Sequence, residues 1–484
     1  MSNAIEGLKP EGVWKYFAEI SRIPRGSKNE AAMARFVLST AKGFGLEAVA
    51  DKVGNVVVRK RGSRGREGNR MICLQGHLDM VCEKNKDKVH DFLKDPIELV
   101  RRDNVMMANG TTLGADNGIA VATNLALMAD TSIEHPPLEF LFTIDEETGL
   151  TGANNLEPGF LKAKTMLNLD SEEEGALYVG CSGGRDSHGI WKIDLEPVPA
   201  GFVAAEVRIR GLKGGHSGLE IDKGRGNAIK ILARILTRLG DLGMRLASIS
   251  GGNKHNAIPR EAEALVLIPR KNLEAAGELV AGCARVMKAE IATVDAAMTI
   301  EIESFPGKKA KVIKRAQQKR VLQTIVALPH GVAKMSADIP GLVETSTNMA
   351  VIRTDRKSIT MVTSQRSSVA SEIDEIAEMV QTVFALGGAE VHASDGYPGW
   401  KPNLDSEILG IARSTFVQEF GREPAVKAIH AGLECGIIGE KHPGMDMVSF
   451  GPTLEGVHSP DEKIYIDTVE RFWKYLLAVL KNFH

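Results

Sequence analysis

An α/β fold is what this 484-residue sequence predicts: a mixed, mostly parallel sheet flanked by helices and interrupted by an inserted α+β block. Three observations carry the expectation. Near both ends of the chain, short apolar runs that read as buried strands alternate with stretches of helical periodicity. Several of those runs stop abruptly at acids or at a histidine, as strands do where an α/β sheet presents its loops. Between them lies a long middle section whose strands alternate apolar and polar residues, the pattern of a half-buried antiparallel sheet. The length also exceeds one ordinary hydrophobic core. The expected division is residues 1–186 with 397–484 as one discontinuous domain, and 187–396 as the insertion.

Composition excludes several classes. Hydrophobic content of 43% and charged content of 25% are ordinary for a soluble globular protein. A formal charge of -2 supplies no basic field, which argues against a nucleic-acid or membrane-surface partner. The opening MSNAIEGLKPEG lacks the apolar segment of a signal peptide, and no run approaches a membrane span. Five scattered cysteines without a CxxC pair suit reduced thiols in a cytoplasm rather than zinc ligands.

Taken in order, VWKYFAEISRI from Val13 and EAAMARFVLSTAKGFG carry helical spacing, the second ended by glycine. Asn55 to Arg59 reads as a strand, and MICLQGHLDMV as a buried strand running into His77 and Asp79. On extended backbone residues two apart share a face, so these two side chains can address one point. A histidine merely satisfied by a nearby acid would look the same. NGTTLGADNGIAVATNLALMAD is a glycine-rich turn feeding a helix near Asn117, with Asp116 at its start, where an ordinary N-cap would also sit.

The stretch LFTIDEETGL, Leu141 to Leu150, breaks from a β-prone run into Asp145, Glu146 and Glu147. Adjacent residues at a strand end point in different directions, so one carboxylate can hold a cation while its neighbour handles a proton. In isolation such a cluster is usually a solvated loop. TMLNLDSEEEGALYVGCSGG then brings another apolar strand to Asp170. Acids and a histidine recurring at strand ends point to one site assembled from several loops.

After Gly184 the pattern changes. WKIDLEPVPAGFVAAEVRIRGLKGGHSG alternates, Asn227 to Leu239 is an amphipathic helix, and EAEALVLIP, Leu273 to Ile291 and MTIEIESF add strand, helix and strand. Lys308 to Arg320 is strongly basic and reads as a solvated helix face. LVETSTNMAVIRT and SITMVTSQRSS form a hairpin followed by the helix SEIDEIAEMVQTVFALGG, which suggests a weak internal duplication of the insertion. SDGYPGWKPN returns the chain. There the helix SEILGIARSTFVQEFG, the strands AVKAIHAGLECG and MDMVSFGP, and the helix VERFWKYLLAVLKNF follow, with GPTLEGVHSPDE presenting His458.

The ordered set GHLDM, GADNG, DEETG, NLDSEEEG, GLKGGHSG, NAIPRE, HAGLECG and GPTLEGVHSPDE resembles the aminoacyl-histidine dipeptidases. These are a subgroup of the co-catalytic zinc peptidases that include carboxypeptidase G2-like enzymes. The resemblance spans essentially the whole chain and rests on the motifs jointly. It implies two divalent ions, zinc with cobalt or manganese as substitutes. His77 and Asp170 would ligate one, Glu147 and His458 the other, and Asp116 would bridge both. That donor set of imidazole and carboxylate suits a borderline cation. It further implies Asp79 as the partner that fixes the His77 ring and Glu146 as general base.

The insertion would then be a lid that also offers a homodimer surface. His216 would stabilise an oxyanion, within its own chain or across a dimer, and Asn256 and Arg366 would hold a substrate carboxylate. GLKGGHSG lacks P-loop spacing, which removes a phosphate-binding reading. The function implied is a cytoplasmic metal-dependent dipeptidase acting on small Xaa-His peptides such as β-alanyl-histidine. The alternatives are a broader di/tripeptidase, an N-acyl amino acid amidohydrolase, or a non-catalytic metal-binding relative. An intact Glu146 argues against the last.

Overall fold

The computed structural model describes residues 3–305 and 311–484, in two compact units. One comprises 1–180, 400–428 and 433–484; the other comprises 181–399 and 429–432.

The first unit is built on eight strands: β1 (Glu47–Ala50), β2 (Val56–Lys60), β3 (Ile72–His77), β4 (Leu138–Thr143), β5 (Thr165–Asn168), β6 (Ala176–Cys181), β7 (Ala425–Ile429) and β8 (Asp446–Ser449). Their spatial order is β1-β2-β4-β3-β5-β8-β6-β7. The central strands β4, β3, β5 and β8 run parallel, with Cys73 opposite Glu139 and Met166, and Val448 opposite Leu167. Every residue of β3, β4 and β5 is buried, which is why Leu138–Thr143 reads as a near-continuous apolar run. Helix Glu11–Ile20 buries Val13, Trp14, Phe17 and Ile20, and helix Ile466–Asn482 buries Val469, Phe472, Leu476 and Val479.

Parallel direction has a consequence for position. The carboxyl ends of β4, β3 and β5 lie side by side, so the segments after Thr143, His77 and Asn168 leave the sheet at one edge. Beneath that edge runs a buried polar row. Gln75 Nε2 donates to Glu434 (2.6 Å), Thr143 Oγ1 donates to the same carboxylate oxygen (2.6 Å), Asn168 Nδ2 donates to Gln75, and Ser449 Oγ donates to Asn168. Each link joins neighbouring elements at full burial, where an unmade hydrogen bond would cost most. A smaller sheet places Lys463–Tyr465 between Leu454–Glu455 and the hairpin Leu99–Arg102/Val105–Ala108. The loop carrying His458 spans the first two of these strands.

The second unit is a nine-stranded antiparallel sheet with helices Ala228–Asp241, Leu273–Ile291, Arg315–Ala327 and Ala370–Leu386. In Phe202–Arg210 the inward Ala205, Val207 and Ile209 join a core with Ile229, Leu232 and Leu236 of the first helix. Asn227 caps that helix, its side chain accepting from Ile229 N (3.0 Å) and Lys230 N (3.1 Å). A two-residue ribbon, Gly215–His216 against Ala257–Ile258, pairs His216 with Ala257.

Two sequence expectations need correction. AVKAIHAGLECG is not one strand: β7 stops at Ile429, and a helix starts at Glu434. Of the basic stretch, Lys308 to Ala310 lie outside the described residues. Lys311–Ile313 is a strand, and Lys319 and Arg320 are exposed on helix Arg315–Ala327, whose Val321, Leu322 and Ile325 are buried. None of the five cysteines forms a disulfide.

Candidate metal centre

At the carboxyl edge of the first unit's sheet the structure brings together all seven residues predicted there. Asp116 lies in the middle. Its Oδ1 is 3.1 Å from His77 Nε2, and its Oδ2 is 3.1 Å from His458 Nε2. His77 Nε2 also lies 3.3 Å from Asp170 Oδ1, and His458 Nε2 lies 2.9 Å from Glu147 Oε2. Two groups of donors therefore share Asp116: His77, Asp116 and Asp170 form one, and Asp116, Glu147 and His458 the other. Within each group the donor atoms lie within 4.8 Å of one another.

The local backbone explains how each side chain arrives. His77 is the last residue of β3 and is buried. Asp116 has non-helical backbone at the start of helix Ala115–Ala129, and its carboxylate faces imidazoles rather than the helix amides, so it is not an N-cap. Glu146 and Glu147 differ from the strand-end expectation. After Asp145, whose φ is 49°, they open a short helix, Glu146–Gly149. Their divergence comes from that helical turn, not from strand pleating.

Asp79 has a wider part than the sequence suggested. Its Oδ1 and Oδ2 accept the amides of Glu146 (3.0 Å) and Glu147 (3.2 Å), and Oδ2 accepts Ser27 Oγ (2.8 Å). Its Oδ1 stands 3.4 Å from His77 Nδ1, longer than a well-formed hydrogen bond. It therefore anchors the short helix that carries both glutamates while facing the His77 ring.

The electrostatics fit divalent cations. Asp116, Glu146, Glu147 and Asp170 converge, and Glu147 Oε1 and Asp170 Oδ1 are buried without hydrogen-bond partners. Burial, with Asp116 and Glu147 nearby, pushes Asp170 up to about 6 despite His77. Burial drives Glu146 well above the carboxylate range, with Asp170, Glu434 and Glu147 adding to it against His77. Asp116 is held below its usual range, since hydrogen bonds from His458 and His77 outweigh its burial. Hydrogen bonds to Asp116 and Glu147 push His458 up to about 11. Such crowding of like charge is relieved by cations, and orphaned carboxylate oxygens beside imidazole nitrogens make a donor set that borderline metals accept.

The other predicted residues belong to the second unit. His216 Nδ1 accepts the amides of Gly218 (3.2 Å) and Leu219 (3.1 Å), which leaves the proton on Nε2. Burial and the charge of Arg366 lower its pKa to about 4, so the ring is neutral near pH 7 with one N–H to donate. Asn256 lies in the turn just before the ribbon strand Ala257–Ile258, its carbonyl accepting Ser217 N (2.9 Å). Arg366, on Ser358–Ser367, is buried, with Nη1 donating to Tyr397 Oη (2.9 Å) and Nε unpartnered.

Sequence reasoning missed His430, whose Nε2 is 2.7 Å from Ser346 Oγ and which burial, Arg366 and His216 lower to about 3. It also missed Ser27, Arg25, Glu434 and Glu462. His430, Glu434 and Glu462 lie inside quoted motifs, which was the available signal; Arg25 carried none.

Comparison with known proteins bears on this arrangement. Residues 73–482 match the family described as peptidase family M20/M25/M40. Over 476 residues, 98% of both chains, the sequence is 40% identical to the cytosol non-specific dipeptidase of Escherichia coli K12. The crystal structure of the aminoacylhistidine dipeptidase of Vibrio alginolyticus superposes with a TM-score of 0.91 at 42% identity, covering 99% of this chain and 98% of that one. Aminopeptidase PepT of Bacillus cereus, at 16% identity and a TM-score of 0.56 over 98% and 99% of the two chains, shares the fold.

Proposed function

This chain belongs to peptidase family M20/M25/M40, and from that premise we propose that it is a cytoplasmic dipeptidase cleaving short peptides, Xaa-His among them, with two divalent ions. The observation that carries the reading is Asp116, each of whose oxygens addresses a different histidine. His77 and Asp170 would hold one ion, Glu147 and His458 the other, and Asp116 both. The ions, zinc by preference or cobalt or manganese, would supply Lewis acidity and acidify a water. The names of two full-length relatives, a non-specific dipeptidase and an aminoacylhistidine dipeptidase, support the reading of dipeptides, with Xaa-His among them, as the substrate class.

The chain's own groups supply the rest. Glu146 takes the proton of the attacking water and returns it to the leaving amine, a task that suits a carboxylate whose pKa burial raises. Asp79 keeps the His77 ring and the Glu146–Glu147 turn in place. His216, neutral with Nε2–H free to donate, stabilises the oxyanion. Arg366, with Asn256, receives the peptide's terminal carboxylate, a bidentate match for a guanidinium. The test is a panel of dipeptides, tripeptides and dipeptide amides, assayed with the purified protein before and after chelation and with Zn²⁺, Mn²⁺ or Co²⁺ restored. Absence of metal-dependent dipeptide hydrolysis would overturn the reading.

A further inference from the structure

We infer that Arg25 and Glu462 form a positioning clamp that sets the Asp116 turn against the other ligand-bearing segments, and thereby sets the metal affinity of the centre. The inference rests on the proposed metal ligands and goes beyond them to two residues that touch none of the chemistry.

Glu462 is 2% exposed, an unusual setting for a carboxylate. Four consecutive amides explain it. Oε2 accepts Leu113 N (2.7 Å) and Gly114 N (2.9 Å), and Oε1 accepts Ala115 N (2.7 Å) and Asp116 N (3.2 Å). Amides entering a helix lack intrahelical partners, and here one side chain takes four in a row, two just before helix Ala115–Ala129 and two at its start. Charge-assisted bonds of this kind are the stronger sort. Glu462 also follows His458 by four positions on the same loop. One loop therefore presents an imidazole to Asp116 Oδ2 and grips the backbone from which Asp116 projects.

Arg25 works from the other side. It is 3% exposed, its Nη1 donates to the carbonyls of Leu78 (3.1 Å) and Asp79 (2.9 Å), and its Nη2 donates to Gly114 O. Gly114 is thus bracketed, its N–H on Glu462 and its C=O on Arg25. The residue must be glycine: φ is 68°, and a Cβ would lie 2.6 Å from Arg25 Nη2 and 2.7 Å from Met80 Sδ. The guanidinium ties this turn to the backbone just after His77. Together the pair fixes three separate segments, 77–79, 113–116 and 458–462, relative to one another. A buried acid and base in this arrangement do more than fill space, since apolar residues of similar size would fill it at lower desolvation cost.

The discriminating experiment uses the full chain stripped of metal. Glu462→Gln keeps the size of the side chain but replaces two of the four acceptor positions with N–H groups facing N–H groups. Arg25→Lys keeps the charge but cannot serve three carbonyls in the guanidinium's fork. Zn²⁺ affinity is read by competition with a chromophoric chelator, stoichiometry by metal analysis, and apo-protein folding by thermal melting. The expected result is that both apo variants still melt cooperatively while Zn²⁺ affinity falls about 10–100-fold, the usual cost of losing a support behind the ligands. Wild-type Zn²⁺ affinity in both variants would overturn the inference. So would apo variants that fail to fold in both cases, since the pair would then serve the fold and not the centre. Failure of the wild-type chain to take up Zn²⁺ would instead overturn the proposed function.

Discussion

His77 and His458 approach one carboxylate from two sides, the Nε2 atom of each 3.1 Å from a different oxygen of Asp116. Removing that carboxylate should therefore disturb two cation positions at once. Asp116→Ala should bind less than one Zn²⁺ per chain under conditions where the wild type binds two, and should lose hydrolysis. Metal analysis after dialysis checks it; two ions retained in the variant would count against a shared ligand.

On the proposed reading the neighbours Glu146 and Glu147 have separable tasks. Glu146→Gln should keep wild-type metal content and lose kcat by roughly 10²–10⁴-fold, the range for a general acid–base group. Glu147→Gln should shed metal first and lose activity in proportion. Equal metal loss in the two variants would dismantle the division between them.

Arg366 is buried with an unpartnered Nε, and an uncharged amide in place of a substrate carboxylate would leave the guanidinium unanswered. A dipeptide should exceed its C-terminal amide in kcat/KM by about 100-fold or more, since stranding one side of a buried charge pair costs several kcal/mol. Arg366→Ala should narrow the gap mainly by harming the dipeptide. Equal kcat/KM for the two substrates in the wild type would end the carboxylate-receiving role.

His430 offers a test in pH. Its folded pKa, about 3, lies below the value of about 6.5 for an unfolded histidine. Between those values the unfolded chain binds a proton that the folded chain does not, so this contribution is intact above pH 6.5 and is lost as pH falls. Relative to His430→Gln, the wild type should lose about 2 kcal/mol of stability on going from pH 7 to pH 5. Paired urea titrations of metal-free protein at the two pH values measure it; no change in the difference would mean that the folded ring titrates as it does in the unfolded chain.

Much of the centre was legible because strands announce their ends. The apolar runs before His77, Glu146 and Asp170 stop where the parallel sheet stops, and parallel strands are buried on both faces, so their pattern is dense. The turn that spreads Glu146 and Glu147 was not legible. It depends on the left-handed backbone of Asp145 and on Asp79, 67 and 68 positions away from the amides it accepts. Arg25 escaped for a related reason. A side chain donating to a carbonyl 89 positions distant selects no side chain at the far end and leaves no periodicity. Glu434 was hidden by a short apolar run that read as strand, although the chain turns into helix there.

The discontinuous first unit also orders events on the ribosome. His458 follows Asp116 by 342 positions, and residues 181–399, nearly the whole second unit, are translated between them. At about 5–20 residues per second, the nascent chain waits roughly 20–70 s between displaying Asp116 and supplying His458. Throughout that interval the turn at 113–116 also lacks Glu462, and for nearly all of it strand β8, which lies between β5 and β6 in the sheet, has not been made. The full donor set, with the amide-gripping acid and the helix Ile466–Asn482 beside it, therefore exists only once the segment 446–482 has been made, long after the strands that carry the other donors.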